Sequence, residues 1–344
     1  MLCLILFSLI LISLSSCGEE AYTEPLNSDV WEHVDDMTEA RMASASLKVG
    51  DVLYMIGGSN SNGYIDSVEW AGLGADGMPG EWKKTRSLST PRGYSAAVAY
   101  NRHVYVIGGA HGKHGADLLN TVERARINSD GTLGRWKIER ERLFSARRGV
   151  SAIVSGGYVY AIGGYNGEFL DTVERAKINI DGTLGEWDVV SIMNHRRYIH
   201  SAVMVNRVLY VIGGHHRSSG GATNRVEYAR IDNDGELGEW VDAPSLKVAR
   251  YGARAFAGSG FIYLLGGYDG SALDSIERAL IMKDGSIGEW TIVSLISIAR
   301  DAPSVFVFDD IVLVAGGAEL SGAALKSIEA ARLDSVGRFA PWAR

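Results

Sequence analysis

A Gly-Gly pair closes a short apolar run six times in this chain, at Gly57-Gly58, Gly108-Gly109, Gly163-Gly164, Gly213-Gly214, Gly266-Gly267 and Gly316-Gly317. The spacing stays between 50 and 55 residues. Self-similarity at such a period restricts the fold to a ring or array of one supersecondary unit. A unit of this size buries its apolar face only against a neighbour, so the repeats must pack side by side.

Residues 92–136 show what one unit is. Arg92 opens a small-residue run, Ser95-Ala96-Ala97-Val98, and Asn101-Arg102 turns the chain. Val104-Tyr105-Val106-Ile107 then leads to Gly108-Gly109. A polar loop precedes Thr121–Ile127, Asp130-Gly131 makes a second turn, and Trp136 starts a last segment. Apolar runs of this length, bounded by Gly, Asn or Asp, are strands rather than helices. Asp-Gly between two of them is a hairpin signal. One unit is therefore four antiparallel strands, a to d. The 42 glycines among 344 residues suit a turn-rich all-β protein.

The units stay in phase. Arg stands 16 residues before the first Gly at Arg41, Arg92, Arg147, Arg197, Arg250 and Arg300. Tyr stands three before it at Tyr54, Tyr105, Tyr160, Tyr210 and Tyr263, with Leu313 in the sixth unit. Glu recurs at Glu69, Glu123, Glu174, Glu227, Glu277 and Glu329. Trp recurs at Trp31, Trp82, Trp136, Trp187, Trp240, Trp290 and Trp342. At these residues, across 31–342, the chain resembles the kelch repeat. The resemblance implies an all-β, six-bladed propeller with four antiparallel strands per blade around a central channel. Trp31 precedes Arg41 by the same ten residues that separate Trp82 from Arg92. Residues 30–35 therefore read as an orphan strand d, expected to close the last blade as its outer strand and leave no open edge.

Strand alternation puts Glu123, Ala125 and Ile127 on one face, and the same triplet recurs in other units. Ala and Ile there mean a packed face, so each Glu needs a buried partner, which the repeated arginines can supply. A catalytic pair is needed once; this one occurs six times. The scaffold reading leads. The other reading places the arginines, which start the innermost strands, as a positive ring suited to a carboxylate or phosphate.

Departures from repetition mark a site more surely. The c–d turns are nearly uniform Asp-Gly and lack the later carboxylates of a calcium loop. The b–c loops vary, and in a propeller they share one face with the d–a loops. The candidate ligand patch on that face is Tyr94, His111, His114, Asn166, His195, Arg196, Tyr198, His215, His216, Tyr251 and Asp269. The histidine spacing matches no metal-ligand motif, so neither a metal nor another cofactor is expected. No nucleophile elbow, zinc motif or phosphate loop occurs, and no catalytic residue is assigned.

Residues 1–16 carry no charge and have the length of a signal-peptide apolar region. They end in Leu14-Ser15-Ser16-Cys17, which resembles a bacterial lipobox with Cys17 as the acylated residue. Residues 17–28 then form a polar tether and 29–344 the propeller. Cys3, within the signal, is the only other cysteine, so a large core must replace disulfides. A net charge of −7 argues against nucleic acid.

The expected protein is an exported bacterial lipoprotein of the cell envelope, outer membrane or cell surface. It meets the membrane through its lipid, is monomeric, and serves as a non-enzymatic binding module. The kelch resemblance also implies a sugar-acting alternative. Galactose-oxidase-like copper enzymes need a Tyr–Cys crosslink that the mature chain lacks. A sialic acid mutarotase needs one placed acid or base in the channel.

Overall fold

The run before each Gly-Gly pair is β-branched and aromatic, and it forms the second strand of a blade. These b strands are Val52–Ile56, His103–Ile107, Tyr158–Ile162, Val208–Ile212, Phe261–Leu265 and Ile311–Ala315. In this computed structural model, residue 26 and residues 28–216 and 221–342 are described. The signal segment 1–16, Cys17 and most of the tether lie outside them.

Each b strand pairs with an inner strand a and a third strand c. The a strands are Ala45–Val49, Ala96–Tyr100, Ser151–Ser155, Ser201–Val205, Arg254–Gly258 and Ser304–Phe308. Each touches the a strand of both neighbours, so together they close a ring around the channel. The outer strands vary most, from Lys83–Lys84 in blade 1 to Leu184–Ile192 in blade 3.

The sixth blade closes as its orphan Trp predicts. Glu32–Asp36 pairs with the c strand Ser327–Leu333, from Glu32 opposite Ala330 to Asp36 opposite Ser327. The strand begins two residues later than the 30–35 reading, with a register shift between His33 and Asp35. The far end of the same c strand takes Phe339–Ala340, with Ala340 opposite Arg332. The outer edge of blade 6 is thus a composite of both ends of the chain. Trp31 packs on Phe339 at the join, ring centroids 5.3 Å apart.

Six apolar clusters hold the ring, each spanning one pair of adjacent blades and each containing a repeated Trp. A polar latch accompanies five of the six seams. The buried b-strand tyrosine donates to the glycine carbonyl of the next blade's c–d turn. The pairs are Tyr54–Gly131, Tyr105–Gly182, Tyr160–Gly235, Tyr210–Gly285 and Tyr263–Gly337, at 2.6–2.9 Å. At the sixth seam Leu313 has no hydroxyl, and Ile311 and Phe308 crowd Gly77 instead.

The Gly-Gly pair is also explained by the seams. The first glycine has φ between 56° and 64° in every blade. A Cβ there would lie under 3.0 Å from the carbonyl oxygen of the next blade's repeated arginine. Only glycine accepts both conditions.

Candidate ligand site at the channel mouth

The repeated arginines face inward to their own blades. All six are 0% exposed. Their Nη2 donates to the repeated glutamate at 2.6–2.9 Å in five blades, and Arg147 bonds Glu174 likewise. Nη1 donates to the first glycine's carbonyl at 2.7–3.0 Å. The glutamates accept backbone N–H groups of the incoming d–a segment, from Thr38, Ser89, Phe144, Asn194, Lys247 and Ser297. This set ties each d–a loop to its blade. It presents no ring of positive charge to the channel, because every guanidinium is turned into protein.

The mouth is framed instead by two columns beside those anchors. The residue after each repeated Arg bridges the residue after each Gly-Gly pair. The pairs are Met42–Ser59, Gly93–Ala110, Arg148–Tyr165, Tyr198–His215, Tyr251–Tyr268 and Asp301–Ala318. Blades 6, 1 and 2 supply mostly small side chains, whereas blades 3, 4 and 5 supply rings. The frame is identical in all blades, and the side chains make it lopsided.

The rings form one arc. Centroid distances run 5.4 Å from Tyr165 to Tyr198, 5.2 Å to His215, 5.2 Å to Tyr251 and 5.3 Å to Tyr268. Phe169 completes it, stacked on His215 at 5.6 Å and 3°. Tilted and edge contacts at these distances are the favourable ones for aromatic quadrupoles. The Arg148 guanidinium sits 5.1 Å from the Tyr165 centroid and 5.8 Å from that of Tyr198. Its buried Nε has no acceptor, and among the described residues Arg148 has no ion pair. Across the mouth, Tyr64 covers Gly93, where any Cβ would meet its ring.

One residue deeper lies a second ring, made of backbone. Ala43, Tyr94, Gly149, Ile199, Gly252 and Ala302 all have φ between 47° and 67°. A β-branched residue such as Ile199 rarely tolerates this conformation, so the surroundings must enforce it. Hydrogen bonds around the channel do so. Tyr94 N–H donates to Ala43, Gly149 to Tyr94, Ile199 to Gly149, Gly252 to Ile199 and Ala43 to Ala302, at 2.7–3.2 Å. Among the described residues the sixth link, from Ala302 to Gly252, is missing. Asp301 lies at the gap, and a Cβ on Gly252 would collide with its Oδ1. Among the described residues that oxygen has no hydrogen-bond partner.

The electrostatics follow from burial. Desolvation pushes the Asp301 carboxyl up to about 6, against the Ala302 N–H and Arg254, which favour its charge. Burial raises the hydroxyls of Tyr94, Tyr198 and Tyr251, the last to about 12, so all three stay neutral donors. Burial also lowers His215. Behind the ring, His200 packs between Gly163 and Gly214. Desolvation, then Arg197 and Arg147, hold it down to about 3.

Of the patch expected from sequence, Tyr94, Tyr198, His215 and Tyr251 meet at this mouth. His195, Arg196 and His216 line a separate rim groove with Thr223 and Arg225. There His195 Nε2 lies 2.8 Å from Asp242, and Arg196 pairs with Asp171 at 3.0 Å. His111 lies 3.7 Å from Asp117, while His114 is exposed in the turn Lys113–Gly115. Asn166 and Asp269 are exposed and accept N–H bonds within their own loops. Sequence reasoning missed Tyr64, Arg148, Tyr165, Phe169, Tyr268 and Asp301. For most of these the signal was available, because they stand directly after the phase-locked Arg or the Gly-Gly pair.

Comparison with known proteins agrees with this architecture. A kelch-motif family model matches residues 146–175, which run through the a and b strands of blade 3 to its Arg147–Glu174 pair. Beta-scruin of Limulus polyphemus is 26% identical over 215 residues, 61% of this chain and 23% of that protein. Alpha-scruin of the same organism is 27% identical over 219 residues, 61% of this chain and 22% of its own length. The chain thus spans less than a quarter of either scruin. Kelch domain-containing protein 3 of Rattus norvegicus is 26% identical over 252 residues, 67% of this chain and 64% of that protein. The solved structure of YjhT superposes with a TM-score of 0.71 at 14% identity, covering 88% of this chain and 97% of that one. At that identity the likeness is one of fold. The motif match in blade 3, the relatives and the blade topology together support a six-bladed β-propeller of the kelch type.

Proposed function

We propose that this chain is a non-enzymatic binding module that takes its partner at the channel mouth, on the face of the b–c and d–a loops. The observation that carries the reading is the arc of six rings with the Arg148 guanidinium over it. Rigid aromatic and arginine side chains in a desolvated seat are what binding hot spots are made of. The strands beneath fix their positions before any partner arrives, which limits the entropy lost on binding. The kelch relatives support an interaction role, with a protein loop or a carbohydrate as partner. A thermal-shift panel of peptides and sugars against the purified protein tests it. A hit that disappears in both Tyr198→Ala and Tyr251→Ala supports the mouth. A hit that survives both substitutions places the site elsewhere and ends this reading.

We also read the chain as exported and anchored at the cell envelope through Cys17, as a monomer. The uncharged run 1–16 and the lipobox-like Leu14–Cys17 support this. Acyl chains contribute about 0.8 kcal/mol per buried methylene, so two or more hold a protein stably. Fatty-acid labelling that persists in Cys17→Ala would rule it out.

One observation favours a second reading, a sugar-acting mutarotase. The Asp301 carboxyl, held at about 6 near Tyr94 and Arg254, is suited to accept and return a proton. Anomer exchange followed by NMR on free sugars, including sialic acids, decides it. Acceleration lost in Asp301→Asn supports the enzyme; no acceleration of any sugar rejects it.

A further inference from the structure

The fourth residue after each repeated Arg belongs to the innermost strand. In five blades it is small: Ala45, Ala96, Ser151, Ser201 and Ser304. In blade 5 it is Arg254. This is the one long cation in the column that faces around the channel.

Arg254 crosses two blades. Its Nε donates to the Pro303 carbonyl at 2.9 Å and its Nη2 to the Ser44 carbonyl at 3.0 Å. A guanidinium has five donors, so three remain on Nη1 and Nη2. Among the described residues none of these three has an acceptor, and no carboxylate lies within ion-pair distance. The guanidinium borders a channel cavity of about 170 Å³, lined also by Ser46, Ser95, Ala152, Ser201 and Ala255. The Ser95 hydroxyl, in a residue only 4% exposed, has no partner either. The backbone ring stands between this space and the mouth, and the residues of that ring line the smaller space above Arg254. A cation that cannot deprotonate is therefore held in a confined, serine-lined space with a free fork, and Asp301 acts on it only from beyond ion-pair distance.

We propose that this channel holds a small monovalent oxyanion, of the size of formate or nitrate, on the free edge of Arg254. A guanidinium presents two parallel N–H groups to such an ion, and Ser95 adds a hydroxyl donor in the same cavity. The site is separate from the aromatic mouth and does not depend on what binds there.

Thermal melts of the purified protein test it, with sodium formate or sodium nitrate titrated at constant ionic strength. Wild type should gain about 5 °C by a hundredfold excess over the dissociation constant. Arg254→Gln should lose that gain, and Lys137→Gln, which removes an exposed cation, should keep it. An unchanged wild-type melt, or an equal gain in Arg254→Gln, overturns the proposal. If Arg254→Gln does not fold, the ¹³C-formate linewidth is measured on wild type. Broadening reversed by nitrate supports the site, and a linewidth indifferent to protein refutes it.

Discussion

Replacing Glu123 by Gln separates scaffold from site. The Glu123 carboxylate is 0% exposed. Its Oε1 accepts Arg92 Nη2 at 2.6 Å and Thr90 N–H at 3.1 Å, and its Oε2 accepts Ser89 N–H at 2.7 Å. The amide fits the same volume, but one oxygen becomes a donor. It must then face either the Arg92 fork or a backbone N–H, and Arg92 keeps its charge with no counter-ion. Breaking one half of a buried pair costs about 3–5 kcal/mol. At about 2 °C per kcal/mol for a large domain, the melting temperature should fall by roughly 6–10 °C. Glu174→Gln should fall in the same range, because Phe144 N–H, Ser145 N–H and Arg147 repeat the set. Arg92→Leu with Glu123→Leu removes both charges and should lose less than the sum of the single changes, by about 0.5–3 kcal/mol. Differential scanning calorimetry on the set reads all of this. A Glu123→Gln melt within 1 °C of wild type would show that the buried pair is not structural, and the scaffold argument would fail in every blade.

Further predictions concern the seams, the glycines and the buried acid and base. Tyr105→Phe keeps the ring but orphans the Gly182 carbonyl, so urea unfolding should show a loss of about 1–3 kcal/mol; no change would mean water replaces the latch. Gly266→Ala meets the Arg300 carbonyl at positive φ, and expression of the variant as a well-folded protein of wild-type stability would contradict the seam geometry. Asp301 and His200 act oppositely with pH. Folding raises the Asp301 carboxyl from 3.8 to about 6, so the folded state holds more protons there and stability falls as pH rises through that window. Folding lowers His200 from 6.5 to about 3, so its contribution is present above 6.5 and lost as pH falls. Asp301→Asn should therefore steepen the rise of stability from pH 4 to 6, and His200→Gln should flatten or reverse it; identical profiles for the two variants would refute both assignments.

Much of this fold was legible because the repeat is written in phase. The period, the strand-length runs and the Asp-Gly turns define a four-stranded unit. The orphan Trp31 predicts closure. Alternation around Glu123 predicts a buried carboxylate with an arginine partner. The site was less legible, for physical reasons. Histidines stand out in a loop by composition, yet His111 and His195 face their own local partners and His114 is exposed. Beside the expected Tyr94, Tyr198, His215 and Tyr251, the mouth uses Arg148, Tyr165 and Asp301, which look ordinary until their place in the repeat is known. The tyrosine latches join residues about 75 positions apart, as with Tyr160 and Gly235, and no local pattern announces such a bond. Arg254 is an anomaly within a column, visible only after the six inner strands are aligned.

The composite outer edge of blade 6 has a topological consequence. Trp31 and Phe339, near the two ends, touch, so the ring is a loop fastened by a non-covalent clasp. The blade that closes the circle cannot be completed until residues 339–340 and residues 32–36 meet on one c strand. Joining the ends by a short linker and reopening the chain at an exposed c–d turn should give a circular permutant of the same fold. The clasp also lies on the circumference, far from the axis. A lipid tether attached through Cys17, as proposed above, would therefore hold the disc by its edge and leave the aromatic mouth unobstructed.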